Sequence, residues 1–251
     1  MNRLENKVAI VTGGGKGIGK GITTALLKEG AKVVITGRTL KTLEETVNEF
    51  KDLGHDVYPL VCDGGVREQV KNTIEQTVSK YGSVDIIVNN AQTSKNNLFE
   101  SLTDDDMALA INSGLMATFY YMQEAFHYIK ENGGKIINFA SGAGIKGLEK
   151  HGAYAAAKEG IRGMSRVAAR EWGQYGININ VVCPIVETPG MSQWKEQYPD
   201  QYEAVTNGIP MKRLGCSEND IGRTVVFLAS SDSDYITGQT FNVDGGADAR
   251  P

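Results

Sequence analysis

Tyr154 and Lys158 stand four residues apart in the run Tyr154-Ala155-Ala156-Ala157-Lys158. On an α-helix that spacing puts a phenol and an ammonium about one turn apart, facing the same cleft. A phenol ordinarily titrates near about 10, and a neighbouring ammonium is expected to favour its phenolate. Tyr154 is therefore a candidate general base toward an alcohol, and a candidate acid toward a carbonyl in the reverse direction. Ser141, expected at a strand end, is placed to orient and polarise the same oxygen. The plainer alternatives are a helix-packing tyrosine, an exposed lysine and a locally bonded serine.

A second chemistry opens the chain. Thr12-Gly13-Gly14-Gly15-Lys16-Gly17-Ile18-Gly19 follows an apolar run and precedes a helical one. Missing side chains let backbone amides approach a phosphate at a helix N-terminus, and no Gly-Lys-Ser or Gly-Lys-Thr closes a nucleoside-triphosphate loop, so dinucleotide binding is expected through Gly13, Gly15, Lys16, Gly17, Ile18 and Gly19. A sharp strand-to-helix turn is the competing explanation. Thr36-Gly37-Arg38-Thr39 has no carboxylate for the ribose hydroxyls of NAD, whereas Arg38 with Lys16 suits the 2′-phosphate of NADP. Asp63, beside Gly64, and Asn90-Ala91 are further candidate cofactor contacts, against a helix cap and a turn closure respectively.

These groups need a scaffold, and the chain supplies alternating units. Strands are expected over 7–11, 32–36, 57–62, 84–88, 135–139 and 177–182, with a seventh in Thr237-Gly238-Gln239-Thr240-Phe241-Asn242-Val243-Asp244. Helices are expected over 17–28, 40–53, 66–81, 104–129 with a bend near Gly114, 151–175 and 219–230. That pattern predicts one α/β domain over residues 1–251, a doubly wound parallel sheet of the Rossmann type with about seven strands. Residues 185–214, with Pro189, Pro199 and Pro210, break the cadence and read as a lid within the domain.

Composition narrows the partners. The 251 residues are 41% hydrophobic and 22% charged, enough for one sizeable core. A formal charge of −4 and no compact basic tract argue against a nucleic-acid or polybasic membrane partner. No secretory leader or membrane-spanning run is expected, and Cys62, Cys183 and Cys216 suit a reducing cytoplasm. His55, His127 and His151 are too scattered for a metal site.

The glycine loop, Asn89-Asn90-Ala91, Ser141 and the Tyr154-to-Lys158 helix, in this order across nearly the whole chain, resemble the classical short-chain dehydrogenase/reductase family. The resemblance implies hydride exchange with NADP(H), Tyr154 as acid or base, and Asn112 supporting Lys158 through a water-mediated proton path. It also implies cofactor contacts by Tyr154 and Lys158 and near Pro184, with Thr188 at the nicotinamide carboxamide, and a homotetramer. Gln92 and Ile185 stand where the family usually has glycine, which puts the exact pocket shape in doubt. The stretches NNAQTS, SGLMATFYYMQ, INFASGAG, YAAAKEGIRGMSRVAAREWG and ININVVCP resemble its bacterial NADP-dependent 12α-hydroxysteroid dehydrogenases, which implies a bile acid as the alcohol or ketone partner.

Gln92, Ser94 and Tyr121 are then expected on the substrate or cofactor side, together with Ser141 and Tyr154. Met191, Trp194 and Tyr198, with Tyr202 and Met211 nearby, are expected to cover an apolar substrate, or else to pack the insertion or a subunit interface. A reductase of a 3-oxoacyl thioester or another nonsteroidal carbonyl compound is the alternative within the family, and a non-enzymatic nucleotide-binding or structural protein the alternative outside it.

Overall fold

The computed structural model describes residues 2–187 and 195–248. Among them the sheet has seven strands, every pairing parallel, in the order β3-β2-β1-β4-β5-β6-β7. In chain order these are β1 Val8–Thr12, β2 Lys32–Gly37, β3 Val57–Val61, β4 Ile86–Asn89, β5 Gly134–Phe139, β6 Ile177–Pro184 and β7 Thr240–Val243. The expected doubly wound parallel sheet is what the chain forms.

Strand alternation builds the two faces. Ala9 and Val11 of β1 point to one side with Val33 and Ile35 of β2, while Ile10 and Val34 point to the other. The first side is covered by α1 (Gly17–Lys28), α2 (Leu40–Asp52) and α9 (Arg223–Ala229), which contribute Ile22, Leu26, Leu43 and Val225. The second is covered by α3 (Arg67–Tyr81), α5 (Ala117–Ile129) and α7 (Gly152–Trp172), which contribute Val70, Ile74, Met122 and Ala168. Strands buried on both faces read as near-continuous apolar runs, as Val-Ala-Ile-Val and Val-Val-Ile do here.

The long helix expected over 104–129 is one path with a defect. It runs as α4 (Asp104–Ala110), a π-turn at Ile111–Met116 and α5. Thr103 and Asp106 form a reciprocal capping box at its start. The widened turn contains both Asn112 and Gly114, so the bend expected near Gly114 is a π-bulge, a feature frequent at functional sites. The helix expected over 151–175 ends in a 3₁₀ turn at Gly173–Tyr175, and the one over 219–230 opens with a π-turn at Ser217–Gly222. A short helix, α6 (Gly142–Lys146), follows Ser141, and α8 (Pro199–Asn207) occupies part of the expected lid. Among the described residues no helix is long and apolar enough to cross a membrane.

Candidate active site

β1 and β4 are adjacent, yet their connections lead to opposite sides of the sheet, and a crevice opens at their carboxyl ends. Its floor is organised by Thr12, the last residue of β1. The Thr12 hydroxyl accepts from the backbone N–H of Asn90 at 2.9 Å and of Ala91 at 3.0 Å, and Asn90 Nδ2 donates to the Thr12 carbonyl at 2.9 Å. Sequence reasoning gave Thr12 no role of its own. Its position immediately before Gly13 was the available signal.

The glycine loop is shaped by backbone crowding. Gly13 has φ +67°, and a Cβ on Gly19 would stand 2.2 Å from the Gly13 carbonyl oxygen, so α1 can start this close to β1 only with glycine there. Gly14 packs on Ile35 instead, whereas Gly17, at φ +52°, has open space in front of it. The result is a cradle at the start of α1, the kind of place where backbone amides meet a phosphate. A cavity of about 560 Å³ lies there, walled by Gly13, Gly15, Lys16, Gly17, Ile18, Arg38, Asp63, Gly64, Asn90, Ala91 and Gln92. Of the residues expected at a nucleotide, Gly19, Tyr154, Lys158 and Pro184 lie outside that wall, Gly19 because it is packed beneath the loop.

Arg38 and Lys16 are both exposed at this cavity, and Arg38 reaches the Thr93 hydroxyl at 3.4 Å. Asp63 lines the cavity and closes a local turn by accepting from Gly65 N at 2.9 Å, but it does not cap α3, whose N-cap is Val66. Tyr121 forms the buried floor, its hydroxyl 3.3 Å from both Thr36 Oγ1 and Cys62 Sγ. Gln92 is also in the wall, and its side chain fits beside Gly114 because Gly114 has no Cβ. The other departure from the family pattern, Ile185, lies in regular backbone pairing, donating to Val243 O at 3.0 Å and accepting from Gly215 N at 3.1 Å.

Ser141, Tyr154 and Lys158 come together at the ends of β5 and β6. Ser141 caps α6, its Oγ accepting from Ala143 N at 3.1 Å, and its hydroxyl stands close enough to Tyr154 to favour the ionised phenol. The locally bonded serine weighed from the sequence is thus present, with Tyr154 beside it. Burial raises the Tyr154 phenol above its usual range, the Ser141 hydroxyl opposes that rise, and proximity to Cys183 adds to it. The phenolate-stabilising effect expected from Lys158 is not among those causes. Lys158 Nζ lies 5.6 Å from the Tyr154 ring centroid and donates to the Phe139 carbonyl at 2.7 Å. Burial pulls the ammonium down to about 8. Among the protein's own groups, Tyr154 is therefore held as a neutral acid at neutral pH.

Asn112 is exposed on the π-turn, which packs on α7 through Leu115 against Gly160. A Cβ on Gly160 would come 2.9 Å from Leu115 Cδ2, so glycine sets how closely the two segments approach. His151 Nδ1 lies 2.7 Å from the Glu149 carbonyl oxygen, and its ring stands edge-on to Tyr154 with centroids 5.9 Å apart, a neighbour that sequence reasoning had considered only as a metal ligand.

Ser94 lies outside the nucleotide cavity wall. Tyr198 is half exposed. Thr188, Met191 and Trp194 lie outside the described residues. Met211 lines a separate depression beside β7, where its N–H donates to Gly245 O at 3.2 Å.

A family model described as enoyl-(acyl carrier protein) reductase matches residues 13–248. The chain is 46% identical to a 12α-hydroxysteroid dehydrogenase of a Clostridium species, covering 100% of both chains. It is 36% identical to a 3-oxoacyl-[acyl-carrier-protein] reductase of Thermotoga maritima, covering 97% of this chain and 98% of that one. Among solved structures, levodione reductase superposes with a TM-score of 0.90 at 30% identity, covering 97% of this chain and 98% of that one. Agreement along nearly the whole length, loop and helix included, makes this chain a member of the short-chain dehydrogenase/reductase family, dinucleotide-linked oxidoreductases acting on hydroxyl and carbonyl groups.

Proposed function

We propose that the chain is an NADP-dependent 12α-hydroxysteroid dehydrogenase, interconverting a 12α-hydroxyl and a 12-keto group of a bile acid. The observation that carries this reading is the 46% identity over the full length of both chains to a protein of that activity, against 36% to the 3-oxoacyl reductase. The preference for NADP is supported by Arg38 and Lys16 at the mouth of the cavity, where two cations meet a 2′-phosphate with charge-assisted hydrogen bonds. The cradle around Gly13, Gly17 and Gly19 and the buried floor at Tyr121 fit a dinucleotide.

Bound there, the cofactor supplies or accepts the hydride. In the reductive direction Tyr154 passes its phenolic proton to the carbonyl oxygen, and Ser141 orients that oxygen while bracing the tyrosine. In the oxidative direction Tyr154 takes the proton back from the alcohol. Lys158 and Asn112 return the proton toward solvent. Residues 185–214 serve as the substrate-covering lid of a single domain spanning residues 1–251, with Met191, Trp194 and Tyr198 toward an apolar steroid. The enzyme works in the cytoplasm as a homotetramer.

Reduction of a 3-oxoacyl thioester is the second reading, favoured by the 3-oxoacyl-[acyl-carrier-protein] reductases at 36% and 35% identity. Assaying the purified protein with NADP and bile acids differing at single hydroxyl positions separates the two. Oxidation at carbon 12, with no turnover of bile acids lacking that hydroxyl, is expected. Oxidation confined to another position rejects the regiochemistry, and turnover of a 3-oxoacyl thioester with every bile acid inert replaces the first reading by the second.

A further inference from the structure

Asp106, in the first turn of α4, is 3% exposed, the most buried carboxylate among the described residues. Starting the helix needs only part of what it does. The capping box takes the Thr103 hydroxyl, which accepts from Asp106 N at 3.1 Å, and the Thr103 N–H, which donates to Asp106 Oδ2 at 3.3 Å. The carboxylate is also engaged from farther back in the chain. Oδ2 accepts from Asn97 Nδ2 at 2.8 Å, and Oδ1 pairs with Lys95 Nζ at 3.4 Å. Hydrogen bonds led by that from the Thr103 N–H hold the carboxyl below its usual range, so the acceptor is an ion at neutral pH.

One carboxylate oxygen thus joins the two ends of segment 97–103. The middle of that segment lies on the start of α7, where a Cβ on Gly152 would fall 2.8 Å from Leu102 Cδ1 and 3.2 Å from Phe99 Cδ2. Its first residue is tied to the same place. Asn97 N donates to Lys150 O at 3.1 Å, and Asn97 pairs with His151 in a parallel bridge. Lys150 stands at φ +65°, a conformation that a residue other than glycine keeps where its neighbours impose it. His151 carries the chain of contacts to Tyr154, edge-on to its ring. Behind them Ala153 and Ala157 of α7 pack with Ala110 of α4 and Ile111 of the π-turn.

We propose that Asp106 is a positioning residue for proton transfer: by closing segment 97–103 into a clamp on the first turn of α7, it fixes Tyr154 relative to the π-turn that carries Asn112. This rests on the reading of Tyr154 as acid or base. Asp106 acts through Asn97 and the turn at Lys150 and His151, not at the reacting atoms. A misplacement of about 1 Å at a reacting centre costs roughly a hundredfold in rate, so loosening the clamp is felt in the chemistry before it is felt in the fold.

The test uses the full-length protein with NADP and a bile acid bearing a 12α-hydroxyl. It measures single-turnover hydride transfer, the Kd of NADP, and amide exchange at Ala155, whose N–H donates to His151 O at 2.7 Å. Asn97→Ala cuts the link and spares the cap, whereas Thr103→Ala cuts the cap and spares the link. Asn97→Ala and Asp106→Asn are each expected to slow hydride transfer about tenfold and to speed exchange at Ala155 at least about threefold, with the Kd of NADP unchanged. Combined, they are expected to be no slower than the slower single variant, because they break one link. Thr103→Ala is expected to lower the melting temperature and to leave both the transfer rate and Ala155 exchange as in the wild type. In a Tyr154→Phe background, Asn97→Ala is expected to add no further loss.

A fall of less than about threefold in the transfer rate of Asn97→Ala overturns the proposal. So does an equal slowing in Thr103→Ala, which makes helix stability the cause. If Asp106→Asn does not fold, Asn97→Ala decides alone. A wild type inert toward the bile acid, or a Tyr154→Phe protein with the wild-type rate, rejects the functional reading instead. Exchange at Ala155 then judges the clamp, and an unchanged value in Asn97→Ala overturns it.

Discussion

Replacing Lys158 by methionine should stabilise the protein at neutral pH. The side chain is 4% exposed, and its Nζ donates to the Phe139 carbonyl at 2.7 Å. Burial lowers its pKa from 10.5 to about 8. Cys183 gives it no counter-charge there, because burial pushes that thiol up to about 11 and it is uncharged where Lys158 titrates. At about 1.4 kcal/mol per pKa unit, holding the ammonium in the fold costs roughly 3 kcal/mol at pH 7. Removing the amine loses its bond to Phe139, about 1–2 kcal/mol, so the net gain expected at pH 7 is about 1–2 kcal/mol.

The pH dependence carries the test. Below pH 8 the lysine is charged in both folded and unfolded chains, and the whole penalty applies. Between about 8 and 10.5 the unfolded chain binds the extra proton, so wild-type stability rises relative to the variant; above 10.5 the penalty is gone. The advantage of Lys158→Met should therefore shrink and change sign across that window. Urea unfolding of both proteins from pH 6 to 10.5, by linear extrapolation, measures it. A stability difference that stays constant across this range, or a wild type that is the more stable at pH 7, would refute the reasoning.

Tyr154→Phe should slow hydride transfer by at least about a hundredfold while dinucleotide binding holds, as expected for a lost acid or base; an unchanged single-turnover rate would remove the phenol from the chemistry. Arg38→Ala should weaken NADP about tenfold to a hundredfold and leave NAD nearly untouched, the cost of charge-assisted bonds to one phosphate; an unaltered preference between the two cofactors would contradict that role. Gly19→Ala puts a Cβ 2.2 Å from the Gly13 carbonyl oxygen. It should destabilise the protein by about 1–3 kcal/mol and weaken dinucleotide binding, as overpacking against backbone does. A melting temperature and Kd matching the wild type would show that the loop has slack.

Much of the scaffold was legible because its signals are local. Apolar runs such as Val8–Val11 report strands buried on both faces, and the one-turn spacing of Tyr154 and Lys158 needs only that its helix form. The glycine loop was readable because its constraint is steric and acts within a few residues. Elements below the reach of periodicity were not. α6 is five residues long and is started by the Ser141 side chain, and the π-turn at Ile111–Met116 inserts its extra residue into a helix whose apolar spacing continues on both sides.

Residue types and spacing alone were enough for a parallel α/β fold and a dinucleotide loop, and for singling out Tyr154 as the candidate acid or base. Tertiary structure decided what the surroundings do to those groups. Lys158 looked like a free ammonium beside Tyr154, but desolvation and the Phe139 carbonyl, 19 residues away in the chain, set its charge and its hydrogen bond. Gln92 looked like an intrusion where glycine is usual, yet its fit depends on the missing Cβ of Gly114 on another element. Both outcomes arise from volume and dielectric, properties of the whole packed neighbourhood rather than of any stretch of chain.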